Sequence, residues 1–185
     1  GAQTFEGTIM NFIRKPMVYL GALSILLVCV YSFISTDFLS AIFSGLIFAT
    51  LPIAVIGSRM VQAENGLIPA LLAAMIFIYL YLRNKKTYWL VLAGISSGLA
   101  VLFKLSGISV IIGSVISLLT ILNGHQQKRK SLLIYLTFSL SIASLFIIYG
   151  LVLSPQTFKT IFLTNTERFY GIGPEAVYNL ITQTK

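Results

Sequence analysis

Long apolar runs broken by a few short charged stretches constrain this chain more than any other feature of its sequence. The clearest break is Ser58-Arg59-Met60-Val61-Gln62-Ala63-Glu64-Asn65, wedged between two such runs. A second lies downstream, where the lone cation Lys104 closes Gly94-Ile95-Ser96-Ser97-Gly98-Leu99-Ala100-Val101-Leu102-Phe103-Lys104. An ionisable group at membrane depth costs about 2.5–3.5 kcal/mol on insertion scales, so those that persist there generally serve a function. Two cations at such breaks, on the same side of a bilayer, point to an anionic ligand at one membrane face.

Composition agrees with a membrane chain. The sequence is 57% hydrophobic and 10% charged, with a mean hydropathy of +0.91. A soluble domain carries roughly 25% charged residues, and a single core in 185 residues needs far less apolar surface than this. The reading is an all-α, polytopic membrane helix bundle. A net charge of +8 raises nucleic acid as a partner. The cations are scattered or sit in short clusters beside apolar runs, with no basic face interleaved with aromatics, so no nucleic-acid partner is expected. They read instead as loop charges that set topology. Cys29 is the only cysteine and falls within an apolar run, so it reads as a packed thiol without a disulfide framework. The chain opens on Gly1 with no signal-peptide pattern, and is expected to be an internal piece of a longer protein.

A span needs about 20 apolar residues. About six spans are predicted, near 17–35, 38–57, 66–82, 88–103, 107–123 and 131–153. The fourth and fifth could form one long helix, but roughly 36 residues overshoot a bilayer, and Lys104-Leu105-Ser106-Gly107 reads as a tight hairpin. The basic clusters Arg83-Asn84-Lys85-Lys86 and Lys128-Arg129-Lys130 are expected on the cytoplasmic side. That places Arg59, Glu64, Lys104 and the tail 154–185 outside. Arg14 and Lys15 fall outside as well, against the charge bias. The tail carries Phe158, Ile161, Phe162, Phe169 and Tyr170 among polar residues, a spacing suited to an interfacial helix, before a turn at Gly171-Ile172-Gly173-Pro174.

Few constellations capable of chemistry are present. His125 is the only histidine, so neither a metal site nor a Ser-His-Asp arrangement can be assembled. Gly94-Ile95-Ser96-Ser97-Gly98 lacks the P-loop spacing and reads as a small-xxx-small packing face. Arg59 and Lys104 could each be snorkelling cations at helix ends. Together they are candidates for gripping a lipid phosphate, the guanidinium as a fork and the ammonium as a point charge. Glu64, five residues after Arg59, would not align with it on a continuing helix. It reads either as a turn residue orienting Arg59 or a sugar hydroxyl, or as a solvated loop carboxylate. Arg168 in the tail is a weaker phosphate candidate.

These segments together resemble the membrane glycosyltransferases of the GT-C class. The run Ser58-Arg59-Met60 through Glu64, a span ending near Arg83, then Leu92-Ala93-Gly94, Gly98-Leu99-Ala100 and Lys104 are most similar to the dolichyl-phosphate-mannose protein mannosyltransferase-like group. That group is glycosyltransferase family 39 with its prokaryotic relatives, including the lipid A aminoarabinose transferases. Phe103-Lys104 stands where the group has Thr-Lys, and Met17 follows Arg14-Lys15-Pro16 where the group has Ser. The resemblance covers Phe5 to about Leu122. It implies an enzyme, a mannosyltransferase-like transferase that moves a sugar from a polyprenyl- or dolichyl-phosphate donor. The acceptor would be a protein, as in protein glycosylation, or a lipid or glycan, on the extracytoplasmic face of a prokaryotic plasma membrane. By the same resemblance, residues 1–16 end the first extracytoplasmic loop. The catalytic acidic residue lies upstream of Gly1, so no catalytic residue is assigned here. Arg59, Glu64, Lys104 and Arg168 would bind substrate, with no cofactor in this piece and a divalent cation a candidate only for the full-length enzyme.

Two other classes compete. A transporter fragment would place charges near the midplane of broken spans, whereas these charges sit at span ends. A non-catalytic membrane subunit would show no dependence on Arg59 or Lys104.

Overall fold

The computed structural model of the chain describes residues 2–122 and 124–160, with side chains from Arg14 onward except those of Ile53, Ser58, Arg59 and His125. The described residues are helical throughout, joined by short turns. Two compact units divide the chain, Gly1–Ser144 and Leu145–Lys185.

The first unit opens with α1 (Ala2–Ser35). Residues 2–16, read from sequence as the end of a loop, are helical and run unbroken into the apolar part of α1. Pro16 lies inside the helix, where it withdraws one ladder donor. The helix ends where Ser35 and Thr36 hydroxyls bond back to Tyr31 and Ser32 carbonyls, and Asp37 then caps α2 (Phe38–Thr50). Asp37 Oδ1 accepts the Ser40 N–H at 2.8 Å. Hydrogen bonds from the Ser40 side chain and then its backbone hold the Asp37 carboxyl below its usual range.

The apolar run 38–57 is not one helix. It breaks at Leu51, which is extended (φ −60°, ψ 120°), and restarts as α3 (Pro52–Arg59). Proline explains both halves of the break: it disfavours the α region for the preceding residue and suits the first position of a new helix. Hydropathy alone conceals this, because Pro52 sits among residues as apolar as their neighbours.

The bundle continues with α4 (Glu64–Asn84), α5 (Thr87–Phe103), a single 3-10 turn at Leu105–Gly107, α6 (Ile108–Ile121) and α7 (His125–Leu153). The turn at Lys104 reverses the chain. Leu90 and Ala93 near the start of α5 share a core with Leu118 and Leu122 at the end of α6. The hairpin is therefore real, and a single long helix is excluded. Gly107 makes it possible, since a Cβ there would strike the Ala100 backbone.

Helix α5 lies at the centre of the unit, with Leu90, Ala93, Gly94, Ser96, Ser97, Gly98, Ala100 and Val101 all buried. Its small side chains let neighbours approach on several faces. A Cβ on Gly94 would lie 2.9 Å from the Tyr135 carbonyl oxygen, and one on Gly98 2.7 Å from that of Ser139. The small-xxx-small face read from sequence thus receives α7. A hydroxyl contact secures the same interface: Tyr135 Oη donates to Ser97 Oγ at 2.7 Å, both residues fully buried. On the far side of α1, Cys29 sits against Gly45 of α2, a packed thiol.

Among the described residues three helical segments are long and apolar enough to cross a membrane, Arg14–Ser35, Glu64–Asn84 and Gln126–Leu153, while Phe38–Thr50, Thr87–Phe103 and Leu105–Ile121 are shorter apolar helices. Large apolar side chains such as Tyr19, Phe38, Ile47, Ile116 and Leu140 remain exposed, far beyond what a soluble monomer tolerates. The protein is an all-α membrane helix bundle.

In the second unit, Ser154 and Pro155 end α7, and residues 155–160 are helical. Phe158 folds back edge-on to Phe146, at 5.7 Å between ring centroids, and covers Gly150. The remainder of the predicted interfacial tail, with Arg168 and the turn at 171–174, lies outside the described residues.

Replacing Gly98 with Ala forces apart α5 and α7 and should cost about 1–3 kcal/mol, the usual cost of overpacking. Gly113→Ala points into open space and should leave stability unchanged or raised, because Ala favours the helix. Thermal unfolding of the two variants in detergent distinguishes them.

Candidate functional site

Three helix ends converge around the charged break. Arg59 is the last residue of α3, and Met60 to Ala63 form the turn into α4, whose first residue is Glu64. Lys104 is the C-cap of α5. The hairpin and the α4–α5 contact bring Lys104 back to Glu64, and their side chains form an ion pair across a sequence separation of 40 residues. Each charge suits its helix: a carboxylate at the N-terminus of α4, an ammonium at the C-terminus of α5. Both side chains are nearly half exposed, 44% for Glu64 and 45% for Lys104. An exposed pair of this kind contributes little to folding and stays within reach of a ligand.

Asn65, not singled out from sequence as a site residue, holds this corner together. It is buried, at 7% exposure, and its Nδ2 donates to the carbonyls of Gly57 at 2.9 Å and Met60 at 2.6 Å. These carbonyls flank Arg59, so Asn65 positions the backbone on which the arginine stands. Asparagine is a turn-forming side chain that competes with regular backbone bonding, and its place beside a charged break was the available signal. Next to it, Gly66 lies under the Phe103 ring, which a Cβ at that position would strike. The contact seats the end of α5, and with it Lys104, on the start of α4. An apolar crevice of about 320 Å³ opens beside Asn65, lined by Val18, Ser24, Phe48, Val55 and Ile68 among others.

The structure therefore unites Glu64 with Lys104 and sets the backbone of Arg59 beside them. Glu64 is not in the turn as expected: it begins a helix, and the partner it meets is Lys104. The Arg59 side chain and all of Arg168 lie outside the described residues. Among the described residues no three His, Cys, Asp or Glu side chains come together as a metal would require, and no step proposed below uses one.

The model of the dolichyl-phosphate-mannose-protein mannosyltransferase family matches residues 7–149. The chain belongs to this family. The match spans α1 to the greater part of α7 and so takes in both partners of the ion pair and Asn65. It makes the protein a membrane glycosyltransferase of the GT-C type. No curated protein and no solved structure matches the chain significantly.

Asn65→Ala removes a buried amide and both of its hydrogen bonds, leaving the Gly57 carbonyl with the Met60 N–H alone. The substitution should cost about 1–3 kcal/mol, measured by chemical or thermal unfolding in detergent. Glu64→Gln, which removes only an exposed charge, should leave the unfolding midpoint almost unmoved.

Proposed function

We propose that this chain forms the part of a glycosyltransferase that holds the phosphate of a polyprenyl- or dolichyl-phosphate-linked sugar, with Lys104 and Arg59 as the phosphate-binding cations. The observation that carries the reading is the convergence of Lys104, Glu64 and the end of α3 at one end of the bundle, within a chain of this family. The donor's leaving group is a lipid phosphate whose negative charge grows as the sugar departs. Cations held at that point stabilise the developing charge more than the ground state, the electrostatic logic of an oxyanion hole. The apolar crevice beside Asn65 is a suitable place for the first part of the lipid chain.

Glu64 has a definite part in this scheme. With no donor bound its carboxylate occupies Lys104. The ammonium has three donors, so phosphate can join it, but phosphate and carboxylate repel each other. Glu64 keeps Lys104 oriented between turnovers and yields part of it when the phosphate arrives. The site faces the extracytoplasmic side of a prokaryotic plasma membrane, opposite the two basic loops. The acceptor is a protein, lipid or glycan hydroxyl.

Lys104→Gln and Arg59→Gln in the complete enzyme should each lower kcat/KM for sugar transfer by about 10- to 100-fold. That is the equivalent of the ~1.5–3 kcal/mol that a charge-assisted hydrogen bond contributes. Membrane insertion and unfolding should remain normal. Glu64→Gln should instead tighten binding of a short polyprenyl phosphate, measured by displacement of a labelled analogue. Transfer at the wild-type rate in both cation variants would sink the phosphate-binding assignment and favour a non-catalytic subunit.

A further inference from the structure

At the other end of α4 the charge pattern is different. A helix of 21 residues is about 30 Å long, the thickness of a bilayer's hydrocarbon core. Arg83, Lys85 and Lys86 cluster where α4 passes into α5, and Lys128, Arg129 and Lys130 lie in the first turns of α7. In sequence these clusters are 42 positions apart, from Lys86 to Lys128. In the structure they are joined. Tyr81 in the last turn of α4 and Ser131 at the start of α7 share a buried hydrogen bond, at 5% and 3% exposure. One residue of that bond lies two positions from Arg83, and the other adjoins Lys130.

Among the described residues no carboxylate pairs with the six cations: Asp37, on the same side of the bundle past the Tyr31–Tyr79 contact, accepts from Ser40 instead. The sequence holds no Asp or Glu between Glu64 and Glu167, so no carboxylate of that long stretch can pair with them. Lys128 is the exception in having a local acceptor, donating to the Leu119 carbonyl at the end of α6 at 2.8 Å. Arg83, Lys85, Lys86, Arg129 and Lys130 are exposed. Lys85 and Lys86 lie over the rings of Tyr81 and Tyr88, 5.9 and 6.0 Å from the centroids, which confines them near the bundle surface. Tyr88 and Trp89 open α5 beside them, side chains that favour the headgroup level of a membrane.

We infer that this end of the bundle binds the phosphodiester headgroup of an anionic phospholipid, held between the α4–α5 connection and the first turn of α7. Basic clusters beside a membrane-spanning helix gain about 1 kcal/mol per cation from an anionic leaflet, and here two clusters are stitched into one surface. Topology alone requires the cations to be present on one side. It does not require that a buried Tyr81–Ser131 bond draw them together.

Trp89 is the only tryptophan of the chain and reports on this end without any substitution. The protein is reconstituted in phosphatidylcholine containing brominated phosphatidylglycerol or brominated phosphatidylcholine, and quenching of its fluorescence is compared. The expected result is an about fivefold preference for phosphatidylglycerol, the equivalent of ~1 kcal/mol. The preference should fall towards unity at 1 M salt, where screening acts within about 3 Å. It should also vanish in a variant carrying Lys85→Gln, Lys86→Gln, Arg129→Gln and Lys130→Gln. Equal quenching by the two lipids at low salt overturns the site and leaves the cations as topology determinants only. A preference that survives high salt overturns it too, and that measurement stands even if the variant fails to insert.

Discussion

Lipid gives two apolar helices no hydrophobic reason to associate, so contact must come from close van der Waals fit and from a few interhelical hydrogen bonds. In this bundle the fit is concentrated on α5. Gly94 and Gly98 admit the backbone of α7, and Gly107 admits the start of α6 against Ala100. The Tyr135–Ser97 hydrogen bond then fixes the register of α7 on the same face. Every other feature depends on this helix being tightly held. Lys104 is its C-cap, so the position of the ammonium is set by the packing of the helix beneath it. Gly66 under Phe103 completes the seating on α4.

Irregular backbone at membrane depth is tolerated only where protein groups or water satisfy it. The segment 51–63 contains both kinds of irregularity, a proline break and a turn, in sequence between two apolar helices. Asn65 resolves the second by binding two carbonyls with one amide group. The result is a corner whose backbone is tied by hydrogen bonds, next to an ion pair that remains accessible. A backbone tied in place and charges left open to solvent let an incoming anion meet donors already in position.

The two ends of α4 differ in their electrostatics. One has a cation matched by Glu64 in an exposed ion pair. The other has six cations and no carboxylate in the intervening sequence. About 30 Å of helix separates them, more than a Debye length at physiological salt, so the charges at one end are screened from those at the other.

Composition was sufficient to determine the class, because 57% hydrophobic residues with 10% charged can only be satisfied in lipid. The hairpin at Lys104 and the glycine face on α5 were also legible, since each depends on local spacing. The break at Pro52 could have been read and was concealed by hydropathy. The pairing of Glu64 with Lys104 could not be read, nor could the union of the two basic clusters through Tyr81 and Ser131. Both join residues tens of positions apart, and their meeting depends on how α4, α5 and α7 pack. Local sequence sets which helices form and where charges sit along them; only side-chain fit between helices decides which of those charges become neighbours.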